Sequence, residues 1–411
     1  MILDRQDTGS HEPAGTPASE APARLTQADV AKIARRVERI RGLRFRRPVR
    51  PQFVDRERAT KMLLEGTNAE YTPEEQRSDE ESLKLIGLLG RDETLAGALE
   101  SVEGEQVLGF YDDRRKRLVV IRGPGQGRQT LELTLSHELV HALEDQRFGF
   151  HTSEDLNDDK SLGEKALAEG TATAVMTEYA RRYLDAGKLL SETITSGAAD
   201  TKLPAYVERV ILFPYLEGLQ FVEFLRGTGG WRAVDRVLRG RRPSSAEQIM
   251  HPDRYVSNEQ PERIGDSGLG PALGKPWQRV AATGVSELDL RAMFDMPGGS
   301  PNLKAAEGWA GGRFELWRRP GDKDCAAPCI PRDLGFMRVR WDTPYDRAEA
   351  EPVLRQVFRR KLDAKPAGGG VGVSLWRSRG GAIGMLAKGR EVTVVYAPDI
   401  ALAARALTSA R

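Results

Sequence analysis

The stretch LSHELVHALEDQ, residues 135–146, sets two of the chain's five histidines four residues apart around a glutamate. On a helix, positions i and i+4 differ by about 40° around the axis and sit one turn apart, so His137 and His141 project from one face and can chelate one ion. Glu138 lies about 100° round from His137, near enough to reach a water on that ion and badly placed as a third ligand. Leu135, Leu139, Ala142 and Leu143 supply an apolar stripe, Arg147 suits the C-terminal end of the helix dipole, and Gly149 can close the helix. With so few histidines, chance yields this pattern on the order of once in a few hundred such chains. The plain alternative is a half-buried helix whose two histidines are merely hydrogen-bonded.

Immediately ahead of this helix, EQVLGFYDDRRKRLVVIRG reads as a hairpin of two strands, 106–111 and 117–122, around a polar turn. GPGQG, residues 123–127, lacks the Lys-Ser/Thr ending and the G-x-G-x-x-G spacing of a phosphate loop and reads as a connector. Earlier, TQADVAKIARRVERIRG carries Val30, Ile33, Ala34, Val37 and Ile40 at helical spacing, with Thr26 as cap and Gly42 as stop. LRFRRPVRPQFV reads as a proline-interrupted edge strand, and Asp55 can cap the first of three further helices. The basic run across residues 32–50 reads as a solvated face, because acidic residues and apolar periodicity interleave with it. Helices dominate to about residue 250. After about 270, GRFELWRR, GFMRVRWD, GVSLWRS and REVTVVYA read as strands, and PYDRAEAEPVLRQVFRRKLDA and PDIALAARALTS as helices, which implies a sheet-containing module.

Catalytic zinc takes three protein ligands and keeps a fourth position for water. Glu169, in EKALAEGTATAV, follows His141 by 28 residues on the next good helix, enough for the chain to turn back. By distance alone Asp158, Asp159, Glu164 and Glu178 are rivals. An oxyanion formed at such a site needs a further donor, and His251 in IMHPDRY, Tyr215 and Tyr255 are candidates. Against these stand a helix-stop residue before Pro252 and ordinary partly buried tyrosines. Asp145 can accept the free ring N–H of His141 or remain a solvated acid.

SHELVHALEDQ, then ALAEGTAT, then FPYLEGLQFVEFLRGTGGWRAVDRVL resembles, in this order, the gluzincin pattern of the peptidase-MA-like metallopeptidases: H-E-x-x-H, a later E-G-x-A, and a Tyr-led helix ending in Gly. EQVLGFYD, FPYLEG and SSAEQIMHPDRY look like a bacterial branch of such proteins, and the likeness runs from about residue 30 to 260. The resemblance implies one zinc ion held by His137, His141 and Glu169, with Glu138 as general base and a protein or peptide as substrate. One departure concerns the wall of the site: Leu167 stands two residues before Glu169, where related peptidases often have a tryptophan. The fold expected is α+β. A mainly helical zincin-like core over 26–265 holds a small hairpin sheet before the histidine helix, 266–299 is a linker, and 300–411 is a C-terminal α+β module. Residues 1–25 are expected as a disordered tail, since their Pro, Ala, Gly, Ser and Glu content cannot offset the entropy of ordering.

A chain of 411 residues suggests two domains plus a tail. Apolar residues make up 39% and charged residues 30%, and 62 basic against 60 acidic residues leave a net charge of +2, which gives nucleic acid no overall charge to bind. No apolar run of about 18 residues and no signal-peptide core occur, so no membrane-spanning helix is expected. The opening stretch looks like the spacer that follows a secretion signal, which favours an extracytoplasmic place over the cytoplasm. Cys325 and Cys329, the only cysteines, can close one local disulfide or stay free thiols, and a zinc site there lacks two further ligands. Two rival functions remain. One is a zincin-like envelope module that binds without cleaving, against which stands Glu138, since a scaffold needs no general base. The other is a metal hydrolase acting on something other than a peptide. In the peptidase reading, the hairpin's open edge can pair with an extended substrate by adding a strand.

Overall fold

The computed structural model describes residues 25–410 apart from 68–71, 102–107, 123–125, 150–158, 197–202, 297–301, 322–326 and 371. Residues 1–24 of the expected tail, part of the GPGQG connector, Asp158 and Cys325 therefore lie outside the described residues, while Leu25, expected in the tail, is buried in the core beneath α1. Thr26 caps α1 (Gln27–Arg41) by accepting the Asp29 N–H while Asp29 accepts the Thr26 N–H, and Gly42 ends the helix. The expected edge strand shrinks to β1 (Gln52–Val54), after which Asp55 accepts the Arg58 N–H at 2.9 Å at the head of α2 (Arg56–Thr67). Two helices, α3 (Pro73–Ile86) and α4 (Leu95–Ser101), lead to the hairpin of β2 (Gly109–Asp112) and β3 (Arg117–Ile121). β1 pairs in parallel on the other side of β3, so β3 is central and, among the described residues, β2 has no strand on its other edge.

Helices then follow in succession: α5 (Arg128–Phe148), α6 (Asp159–Tyr183), α7 (Ala186–Ser196), α8 (Ala205–Gly229), α9 (Trp231–Arg239), α10 (Ala246–Met250), α11 (Pro252–Ser257) and α12 (Gly270–Leu273). The stripes read from the sequence are the ones that become buried. Ile33 and Val37 of α1, Leu118 of β3, Leu135 and Leu139 of α5 and Tyr179 of α6 share one core. Leu167 of α6, Phe213 and Phe221 of α8, Val234 of α9 and Ile249 of α10 share a second.

The C-terminal part comprises β4 (Gln278–Gly284), α13 (Glu287–Phe294), β5 (Trp309–Arg318), β6 (Asp333–Trp341), α14 (Pro344–Lys361), β7 (Lys365–Gly370), β8 (Val373–Ser378), β9 (Gly381–Lys388), β10 (Glu391–Ala397) and α15 (Ile400–Ser409). Its seven strands form one antiparallel sheet in the order β4-β5-β6-β10-β9-β8-β7. Leu354 and Phe358 of α14 pack on one face, and Leu402 and Leu407 of α15 on the other. The protein is thus α+β: a helical N-terminal region with a three-stranded sheet, and a seven-stranded antiparallel sheet module.

Three of these strands were not expected. The stretch 266–299, expected as a linker, carries β4 and α13; QRVAATG in β4 is largely exposed and shows no alternation to read. KPAGGG in β7 and GAIGMLAK in β9 are rich in glycine, and their ladders with β8 and β10 make them strands where propensity does not. The first face of the sheet also buries Leu83, Leu85 and Ile86 of α3 and Val207 of α8, and Arg318 of β5 pairs with the fully buried Glu81 of α3, so the two regions share a core. Cys329 is buried and disulfide-bonded, and its N–H donates to Asp333 Oδ2 at 2.9 Å. Among the described residues no helix is long and apolar enough to cross a membrane.

Candidate metal centre

Helix α5 runs through the quoted stretch and ends where Gly149, in the left-handed region, donates its N–H to the Asp145 carbonyl at 2.8 Å. His137 and His141 share its face, and α6 crosses it with Ala172, Val175 and Tyr179 in the core that holds Leu135 and Leu139, while Ala166, Ala168 and Ala174 lie in the core with Phe213 and Phe221 of α8 and Gly170 abuts Gly218 of that helix. The crossing brings three donor atoms together. His137 Nε2 lies 3.0 Å from Glu169 Oε2 and 3.2 Å from His141 Nε2, and His141 Nε2 lies 3.5 Å from Glu169 Oε2. Ligands held at about 2.0–2.1 Å around a tetrahedral ion are about 3.3 Å apart, so this spacing fits a zinc-sized cation. Among the described residues, His137, His141 and Glu169 form a group whose side chains could hold a metal ion.

The electrostatics of the cluster ask for positive charge at its centre. Burial pushes Glu169 up, yet His141 and His137 beside it hold its carboxyl well below the usual carboxylate range. Burial likewise pushes His141 down, but the adjacent Glu169 carboxylate outweighs it and raises the imidazole to about 9. A cation supplied to the three atoms replaces the proton that the cluster otherwise retains.

Glu138 is buried beside this group, and burial holds its carboxyl above the ordinary range, opposed by the two histidines and by the backbone N–H of Tyr111. The Tyr111 contact shows how near the edge strand β2 comes. At Gly109 a Cβ would meet Thr134 Cγ2 at 3.1 Å, Glu138 Cγ at 3.4 Å and the Val119 carbonyl oxygen at 2.9 Å, so only glycine lets the strand pass. Asp145 fixes the same approach from α5: its Oδ2 accepts the Tyr111 hydroxyl at 2.6 Å and its Oδ1 accepts Lys116 Nζ at 2.7 Å. The structure therefore gives Asp145 hairpin partners, and none of its described bonds goes to His141.

Of the other sequence candidates, Tyr215 is brought to the centre, its ring stacked on that of His137 at 6.1 Å between centroids and 30° between planes. Tyr255 instead donates its hydroxyl to the Arg241 carbonyl at 2.6 Å and packs edge-on against Phe221. His251 is committed to Glu287 Oε1 at 3.1 Å and Arg291 Nη2 at 3.2 Å, at the junction with α13. The rival ligands are engaged elsewhere: Glu178 with Arg181, Arg182 and Arg226, Asp159 with the Ala246 N–H at 2.8 Å, and Glu164 with Lys160 at 4.0 Å.

Sequence reasoning missed one buried group behind the centre. Arg41, fully buried, donates from Nε to Glu144 Oε1 at 2.9 Å and places Nη2 2.7 Å from Asp235 Oδ1, with the Trp231 ring 4.7 Å from its Cζ. Glu144 stands one turn beyond His141, so this ion-paired cluster locks α1, α5 and α9 around the histidine helix. A signal existed: Arg41 follows Val37 by four residues and so falls on the apolar face of α1.

Comparisons with known proteins add the following. Residues 275–406 match the model of a domain of unknown function, DUF8575. A solved structure from Chloroflexus aurantiacus, described as a candidate hydrolase with a novel fold, is similar over 56% of this chain and 87% of that one, at 21% identity and a TM-score of 0.36. A search of curated proteins found no match.

Proposed function

We propose that this chain is a zinc-dependent metallopeptidase of the gluzincin kind, with His137, His141 and Glu169 as metal ligands and Glu138 as general base. The observation that carries this reading is the convergence of three donor atoms at 3.0–3.5 Å with a buried carboxyl, its pKa raised by burial, one residue along the same helix. Zinc, when bound, supplies the Lewis acidity that polarises a carbonyl and acidifies water. The protein's own residues do the rest. Glu138 takes the proton of the attacking water at its carboxylate and delivers it to the departing amine, and its raised pKa makes it a better acceptor than an ordinary carboxylate. The edge of β2 away from β3 offers the backbone groups not taken by Glu138, which holds the Tyr111 N–H, to an extended chain and so aligns a peptide beside Glu138 with little demand on its side chains. Tyr215, stacked on His137, is the candidate donor nearest the centre for the developing oxyanion.

The test is zinc content and cleavage of a broad peptide library for the wild type, Glu138→Gln and His137→Ala. The reading expects Glu138→Gln to keep zinc and lose turnover, and His137→Ala to lose both. A wild type without zinc defeats the metal assignment, and a zinc-loaded but inert wild type supports a binding module instead.

A further inference from the structure

Of the nine large hydrophobic side chains exposed among the described residues, four lie on α8: Leu212, Tyr215, Leu216 and Phe224. Leu212, Tyr215 and Leu216 follow the i, i+3, i+4 spacing of a single helix face, and the half-buried Leu219 continues it. They are 42%, 37% and 54% exposed. This stripe starts at the metal centre, because Tyr215 is the residue stacked on His137. It also cannot turn away from solvent. The opposite side of α8 is fixed by Phe213 and Phe221 in the core and by Gly218 against the backbone of α6. The stripe itself carries no charge; exposed Glu208 lies four residues before Leu212, and Glu223, paired with Arg226, four residues after Leu219.

We propose that this stripe is the specificity surface of the centre, receiving a large aliphatic or aromatic side chain next to the bond to be cut. The proposal rests on the metallopeptidase reading and deepens it by naming the substrate class: chains with a bulky apolar residue, and without an acidic one, at that position. Its size suits a side chain rather than a folded partner. Three or four residues offer far less than the roughly 800 Å² per partner of a stable protein interface. Contact with a metal ligand places the surface where a side chain flanking the scissile bond must pass. An acidic side chain laid there loses hydration and finds no cationic partner among Leu212, Tyr215, Leu216 and Leu219.

The test uses a double variant, Leu212→Gln with Leu216→Gln, two exposed positions whose change leaves the core intact. Calorimetry compares acetyl-leucine hydroxamate with acetyl-glycine hydroxamate on the zinc-loaded wild type and on the double variant, with zinc content measured on both. The expected result is at least roughly tenfold tighter binding of the leucine compound to the wild type. That preference should vanish in the variant while zinc content is unchanged. Equal affinity in the wild type, or a preference that survives in the variant, overturns the proposal while leaving the metal reading intact. A wild type that takes up no zinc removes the metallopeptidase reading itself, and the proposal with it.

Discussion

Gly170 and Gly218 meet backbone to backbone: a Cβ on Gly170 would lie 2.2 Å from the carbonyl of Gly218, and one on Gly218 would lie 2.2 Å from the carbonyl oxygen of Ala166. Gly170 is next to Glu169, and Gly218 is one turn beyond Tyr215. One helix crossing therefore sets both a proposed metal ligand and the ring that flanks the histidines.

Substituting alanine at either glycine forces α6 and α8 apart, since the opposing atoms are backbone and cannot rotate away. We expect Gly170→Ala and Gly218→Ala each to cost about 3 kcal/mol or more of unfolding free energy in denaturant titrations. Zinc uptake should fall with them. Unchanged stability and zinc binding would show that the crossing has slack.

The role proposed for Glu138 has a magnitude. Removing a general base typically lowers turnover by about 10²–10⁴-fold, so Glu138→Gln should lose activity in that range at full zinc occupancy and unchanged melting temperature. A loss below tenfold would assign the proton transfer to another group.

Arg41 makes a prediction about stability alone. Arg41→Met strands the buried carboxylate of Glu144, leaves Asp235 only Arg239 at 3.6 Å, and should cost about 3–5 kcal/mol. Adding Glu144→Gln and Asp235→Asn should recover most of that loss, because the triple variant leaves no buried charge to be compensated. Equilibrium unfolding of both variants checks it.

Glu247 supplies a pH dependence. Burial holds its carboxyl up to about 9; Arg254 opposes this, while Glu287, Glu259 and Asp342 reinforce it. The unfolded chain ionises this group near its ordinary value of 4.5, so between about 5 and 9 the folded state binds the extra proton. Stability should then fall as pH rises through that window. Glu247→Gln, which cannot ionise, should flatten the fall, as measured by denaturant midpoints at pH 5, 7 and 9.

Much of this architecture was legible because it rests on local patterns. The caps at Thr26 and Asp55, the stop at Gly149 and the stripes of α1 and α5 follow from residue type at helical spacing. The turn of α5 that carries His137, Glu138 and His141 is local in the same sense. Glu169 was less legible, since its place depends on how closely α6 crosses α5. The position of Asp145 suggested a bond to His141, but the nearby Tyr111 and Lys116 of the hairpin take both of its oxygens. His251 and Tyr255 are drawn to Glu287 and Arg241, partners that only the assembled chain brings within reach. β4, β7 and β9 escaped reading because their register comes from neighbouring strands and leaves little mark on their own sequences.

The core shared between α3, α8 and the seven-stranded sheet bears on how this protein can be dissected. A cut near residue 265 would keep every proposed metal ligand, yet Leu83, Leu85, Ile86 and Val207 would lose the sheet they pack against, and Glu81 would lose Arg318. An excised N-terminal fragment would face water with an apolar flank and with Glu81 left only its Arg77 partner, and should aggregate or unfold. The histidine helix is therefore not a portable cassette: to be assayed, it must be expressed together with the sheet.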